Sequence, residues 1–297
     1  MQFKGKNFGY HLALKVVMNK LNRLLILLCS LMFTKSSLAD EFDVAVPEDS
    51  ELNSFTVRVA TNAGQFWRSY EYCTGVLIRK DLVITASHCI ANLPYRTKHG
   101  NLPMVFIGAS ENIEQIYVKR VESIRMPQRL MSYDAYAYQS TEQQWTDYFT
   151  RIMGSLSDEV VVLHLDTPSV NTPVKILPSD MNVNLANGTF ILPGFPSRAE
   201  RITNSKGQSL PINIVNGRDC SLLEDLNLFA DALITNCFMS PGNSGGPLLV
   251  KINDEVYLTG LNVLTSFIPD TTQILSVHAN LNSDTIRPWL ERIMSAE

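Results

Sequence analysis

The sequence predicts an all-β protein that closes on a single C-terminal helix. Three observations predict it. Short runs rich in β-branched residues recur along the chain, separated by polar or glycine-bearing turns. No alternation of helix-like and strand-like segments appears, which disfavours a parallel α/β sheet. At the end of the chain, Ile286, Leu290 and Ile293 fall at helical spacing with Trp289 and Met294 beside them.

The elements follow in order. Lys15, Lys20 and Arg23 precede an apolar stretch over 24–33 interrupted only by Ser30, and Ala39 stands before the polar start at Asp40. A basic region, a short apolar core and a small residue at the boundary predict a secretory signal over 1–39, cut after Ala39. A membrane anchor needs roughly 20 apolar residues and this run is about half that. No lasting membrane anchor is therefore expected. Residues 40–54 are acidic and aperiodic, which reads as a loose N-terminal arm or a short pro-segment. Strands are predicted over 55–59, 75–78, 82–85, 104–107 and 160–165, and then over 190–192, 212–215, 232–234, 247–250, 256–264 and 274–277. The stretch 131–157 breaks the pattern with Tyr133, Tyr136, Tyr138, Trp145, Tyr148 and Phe149 among polar residues, and reads as a surface insertion. The closing helix spans 285–294, with Ser283 or Asp284 as its cap.

Composition narrows the function classes. Apolar residues make up 45% of the 297 and charged residues 18%, a globular balance. A net charge of −4 gives no electrostatic case for nucleic acid as a partner. No His, Cys or carboxylate cluster has metal-site spacing and no glycine loop has phosphate-binding form, so neither metal nor cofactor is expected.

Removing Cys29 with the signal leaves Cys73, Cys89, Cys220 and Cys237. Four cysteines allow three pairings, and proximity favours Cys73–Cys89 and Cys220–Cys237. An exported chain makes bridges more probable than free thiols.

The segment Ser240-Pro241-Gly242-Asn243-Ser244-Gly245-Gly246-Pro247 runs straight into an apolar strand. A serine hydroxyl is a poor nucleophile until a base takes its proton, and the oxyanion it generates needs donors already aimed at it. Glycines around a serine let backbone N–H groups converge beside Oγ. The N–H groups of Gly242 and Ser244 are the natural donors. The same string is also a good turn sequence. A second segment shifts the balance: Thr85-Ala86-Ser87-His88-Cys89 ends an apolar strand on a histidine beside a cysteine.

Together these two segments resemble the signatures of the trypsin-like serine proteases, in that family's order and near its spacing. The bridges Cys73–Cys89 and Cys220–Cys237 match as well, and Leu192-Pro193-Gly194-Phe195-Pro196 resembles the glycine-containing strand of the second barrel. The resemblance implies two six-stranded antiparallel barrels over 55–172 and 173–297, with the active site in the cleft between them. It implies Ser244 as nucleophile, His88 as general base and peptide or protein as substrate. A secreted or periplasmic monomer is the expected form.

The third member of such a site is a carboxylate that orients the imidazole. The family places it where Asp158-Glu159-Val160-Val161-Val162-Leu163 begins a strand. Strand register favours Glu159 and chemical custom favours Asp158, so both stand as candidates. Phe238 occupies the position six before the serine where trypsin carries an aspartate, so trypsin-like basic specificity is not expected. Asn243 replaces the aspartate that captures a new N-terminus in trypsin. Val263, Leu264 and Thr265 are expected to line the other wall of the substrate pocket. Asn262 stands near the place of a substrate-binding histidine in glutamyl endopeptidases, and His99, His164 and His278 carry no assigned role. The competing reading is a non-catalytic binding protein on the same fold. An α/β-hydrolase would put the histidine last in the chain, and here it precedes the serine.

Overall fold

A computed structural model describes residues 43–60, 72–90, 104–109, 112–124, 156–181, 185, 188–196, 201–203, 209–216, 220–223, 231–267 and 274–296. The export signal, His99 and the Tyr-rich insertion, apart from Leu156 and Ser157, lie outside them. Among the described residues no helix is long and apolar enough to cross a membrane.

The chain enters through β1 (Asp43–Ala45) and a single helical turn, α1 (Leu52–Phe55). The first barrel follows: β2 (Thr56–Ala60), β3 (Tyr72–Arg79), β4 (Leu82–Ala86), β5 (Met104–Ile107), β6 (Glu114–Ser123) and β7 (Val160–Leu165). It closes in the order β2-β3-β4-β7-β6-β5. Every residue of β2, β4, β5 and β7 is buried. Their near-continuous apolar runs therefore reflect cover on both faces, with each buried Val, Leu or Ile side chain contributing about 1.5–3 kcal/mol. The strand that apolar runs did not reveal is β6. Ile116 and Val118 point inward with exposed Tyr117 between them, and then the register against β7 shifts between Val118 and Arg120. The shift breaks the alternation, so the strand lacks one continuous period-2 signal.

The second half comprises β8 (Lys175–Ile176), β9 (Thr189–Ile191), β10 (Pro193–Gly194), β11 (Arg201–Thr203), β12 (Ser209–Pro211), β13 (Ile214–Asn216), β14 (Ala232–Thr235), β15 (Pro247–Ile252), β16 (Glu255–Phe267) and β17 (Ile274–Asn280). Its main sheet runs β14-β17-β16-β15-β9, with β8 added parallel to β16. Through Leu192, β9 continues into β10, which pairs with β13. The seam between β13 and β14 is not a ladder among the described residues. Residues 220–223, which follow β13 in the chain, are instead tied to β14 and its end by the Leu222–Thr235 bridge, by Leu223 N–H donating to Ile234 O (2.8 Å), and by the Cys220–Cys237 disulfide. Among the described residues the second half is a half-barrel, stapled where backbone pairing is sparse, and the two halves fit the expected double-barrel architecture. The other pairing, Cys73–Cys89, is also formed.

Several contacts join the halves. The N-terminal segment is not loose over 43–45: it pairs antiparallel with β13. Below it, Asn213 Nδ2 donates to Asn53 Oδ1 at 3.1 Å, both side chains buried. Buried Arg58 of β2 donates to Gly108 O and sits 4.1 Å over the ring of Phe195, from the second half. The closing helix, α2 (Ile286–Ser295), returns to the first barrel, where Arg79 Nη1 donates to the carbonyls of Met294 (3.0 Å) and Ala296 (2.6 Å). Ser283 Oγ accepts the Ile286 N–H at 3.2 Å, making it the capping side chain at the start of this helix.

Candidate active site

The antiparallel pairing of β4 with β7 sets the geometry. Ala86 lies opposite Val160, so the residues leaving β4 come to lie beside those entering β7. His88 follows β4 in a tight turn (Ser87–Cys89) closed by Ile90 N–H donating to Ser87 O. Glu159 ends the turn Leu156–Glu159 that leads into β7. His88 Nδ1 and Glu159 Oε2 are 2.8 Å apart, with the carboxylate almost fully buried and the imidazole partly exposed. Of the two candidate acids, the one bonded to Nδ1 is thus Glu159, which strand register favoured; half-buried Asp158 precedes it in the same turn.

The serine segment is held against this corner from two sides. Thr74 N–H donates to Ser244 O at 2.9 Å, and Cys89 Sγ lies 3.6 Å from the same oxygen. Thr74 Oγ1 donates to Gly242 O (2.8 Å) and accepts the Phe195 N–H (3.0 Å), so one buried threonine ties the loop to both halves. The residue next to the bridged cysteine therefore grips the serine loop. From behind, Gly245 N–H donates to Asn262 O (2.7 Å) and Asn262 N–H donates to Gly246 O (2.8 Å).

The glycines are required by this packing. Gly242 and Gly245 have φ of 101° and 75°, a region L side chains rarely adopt. A methyl on Gly245 would collide with Thr85 Oγ1, the Thr74 carbonyl and the Ala86 nitrogen. At Gly194 of β10 it would come within 2.8 Å of Asn243 Oδ1. Ser-Gly-Gly is therefore here a close approach of one backbone to two strands, more than an ordinary turn.

The pocket candidates occupy the end of β16 and the segment after β14. Val263 is buried at a register shift of β16 against β17, while Leu264, Thr265 and Phe238 are half-buried. Thr265 Oγ1 lies 2.7 Å from Ser276 Oγ, and Ser276 donates to Cys237 O, one residue before Phe238. The two proposed walls are thereby brought side by side.

Some residues of the site escaped the sequence reading. His278, given no role there, is fully buried, and its burial pushes its pKa down to about 3. It contacts Asn262 Oδ1 through Nδ1 (2.9 Å) and Thr235 Oγ1 through Nε2 (2.8 Å). The available signal was Ser276 and His278, two polar residues at period 2 in a strand otherwise apolar over 274–279. Thr74 carries no local signal beyond following Cys73. His164 sits apart on β7 against Arg120 and Glu122 of β6. Cys73, Cys89 and His88 bring their ligand atoms within 4.8 Å of one another, but both sulfurs are consumed in the disulfide, leaving no thiolate for a metal.

Among curated proteins no relative matches the chain. The family model described as Trypsin matches residues 47–290, taking in both halves, both disulfides, the His88 turn and the Ser244 loop. With that span matched on a closed barrel, a facing half-barrel and a terminal helix, the chain belongs to the trypsin family of serine protease hydrolases.

Proposed function

We propose that this chain is an active serine endopeptidase working through an acyl-enzyme, exported to an extracellular or periplasmic space. The observation that carries the reading is the bond between His88 Nδ1 and the buried Glu159 carboxylate. A carboxylate there holds the ring with Nδ1 protonated, which leaves Nε2 as the base. Glutamate in place of aspartate is supported by the β4–β7 register, which brings the longer side chain alongside the ring.

In this mechanism Ser244 Oγ attacks the scissile carbonyl carbon while His88 Nε2 takes the hydroxyl proton. The N–H groups of Gly242 and Ser244 receive the negative charge on the tetrahedral oxygen. Collapse expels the amine, which takes its proton from His88, and leaves an acyl group on Ser244. Water then repeats the sequence and frees the carboxylic acid. Glu159 stabilises the imidazolium in both halves of the cycle. Phe238, Val263, Leu264 and Thr265 form the pocket for the residue before the cut, and Phe238 offers no charge for a lysine or arginine. The two disulfides support the exported location.

Labelling of the purified, disulfide-bonded protein by a fluorophosphonate tests the proposal. Labelling that disappears in Ser244→Ala supports an activated serine. Folded protein that takes no label would instead favour a binding role for the cleft.

A further inference from the structure

Three fully buried polar side chains on neighbouring strands lie in line behind the serine loop: Thr235 on β14, His278 on β17 and Asn262 on β16. Asn262 faces His278 directly across the β16–β17 ladder. Thr235 lies one period-2 step along β14 from Leu233, the residue opposite His278. The contacts run Cys237 N–Thr235 Oγ1 (3.2 Å), Thr235 Oγ1–His278 Nε2 (2.8 Å), His278 Nδ1–Asn262 Oδ1 (2.9 Å) and Asn262 Nδ2–Asn243 O (3.3 Å).

The direction of this chain is set by its ends. A backbone N–H can only donate, so Thr235 Oγ1 accepts from Cys237 and still has its own proton to give; once Nδ1 of the neutral His278 ring carries the ring proton, Nε2 can only accept it. A backbone carbonyl can only accept, so the Asn262 amide nitrogen faces Asn243 O and Oδ1 faces His278, which must present Nδ1–H. Every member then donates toward Asn243. Burial keeps the ring neutral, as this direction requires. Bonds aligned head to tail polarise one another, more strongly away from water.

The last acceptor gives the chain a purpose. Asn243 O belongs to the same planar peptide as Ser244 N–H, and it also accepts the Gly246 N–H at 3.0 Å. Hydrogen bonds at the carbonyl end of a peptide fix its plane and draw electron density from its nitrogen, making the N–H a stronger donor. We propose that Thr235, His278 and Asn262 form a one-way hydrogen-bond chain that orients and polarises the Asn243–Ser244 peptide, so that Ser244 N–H is a prepared oxyanion donor. These are positioning residues that act through the peptide and do not touch substrate. The inference rests on the oxyanion role proposed above for Ser244 N–H. It also gives the disulfide residue Cys237 a bonded route to the site.

The test removes a hydroxyl without changing shape. In purified, disulfide-bonded protein, Thr235→Val is expected to slow fluorophosphonate labelling of Ser244 by roughly three- to tenfold, the effect of one weakened hydrogen bond. The Ser244 amide proton should move upfield in the NMR spectrum, while the pH midpoint of labelling and KM for peptides stay put. Thr235→Ser, which keeps the hydroxyl, should restore both rate and resonance. A folded Thr235→Val protein with wild-type labelling and a wild-type Ser244 resonance would overturn the proposal. The imidazole nitrogen spectrum of the unaltered protein decides it without any variant: a proton on Nδ1 of His278 is expected, and one on Nε2 instead sinks the chain. If the unaltered protein takes no label, the endopeptidase reading fails, and the amide and imidazole resonances still decide whether the chain exists.

Discussion

Thr74 N–H donates to the carbonyl of Ser244 at 2.9 Å, and the same residue's hydroxyl donates to Gly242 O at 2.8 Å. Two of the three residues Gly242, Asn243 and Ser244 are thus held by one side chain and one amide of the first barrel. Thr74 follows Cys73, whose bridge partner Cys89 follows His88, so His88 and the Ser244 loop, the proposed base and nucleophile, are gripped from a single covalently closed corner.

Replacing that hydroxyl is expected to cost both stability and reactivity. Thr74→Val leaves Gly242 O and the Phe195 N–H without their buried partner, a loss of about 1–3 kcal/mol. Thermal melting should show it, with slower fluorophosphonate labelling beside it. Thr74→Ser should stay close to the unaltered protein in both.

Glu159→Gln should keep the fold and lose the rate. A neutral amide can still contact Nδ1 but cannot stabilise the imidazolium, and the expected fall in kcat is on the order of 10³–10⁴-fold. Asp158→Asn should fall far less. Burst kinetics with an activated ester compare the two, and a larger loss at Asp158 would reassign the acid.

Acid should destabilise the protein partly through His278. Its folded pKa is depressed to about 3 by burial, whereas the unfolded chain takes the proton near the ordinary value of 6.5. Between those values the unfolded state binds a proton that the folded state refuses, so stability falls as pH drops through the window. The slope is about 1.4 kcal/mol per pH unit, with about 5 kcal/mol as the order of magnitude of the whole. Urea midpoints at about pH 7 and about pH 4.5 should diverge less in His278→Gln than in the unaltered protein.

The N-terminal arm is expected to be a structural part of the fold. Asn53→Ala removes the acceptor of Asn213 Nδ2 and the donor to Pro47 O (2.7 Å), at a cost of about 1–3 kcal/mol. A double-mutant cycle with Asn213→Ala should give a coupling of about 0.5 kcal/mol or more. Additive effects would mean that the two side chains do not communicate.

By itself the sequence determined what short-range chemistry can specify. Mostly apolar runs marked β2, β4, β5 and β7 because strands covered on both faces are filled largely by apolar side chains. The Ser244 and His88 strings marked the segments that the fold brings together at the candidate site, because their glycine and cysteine neighbours shape those segments locally. Four cysteines in two close pairs pointed to the bridges now seen. Only the tertiary structure decided between Asp158 and Glu159 as the partner of His88 Nδ1, since that choice depends on the Ala86–Val160 pairing across 74 positions of chain. It alone revealed β6, whose register shift breaks the period a sequence displays. It alone assembled Thr235, Asn262 and His278, three polar residues on separate strands. Such a chain has no linear pattern, because a hydrogen bond across a sheet depends on which strands are neighbours and not on which residues are adjacent.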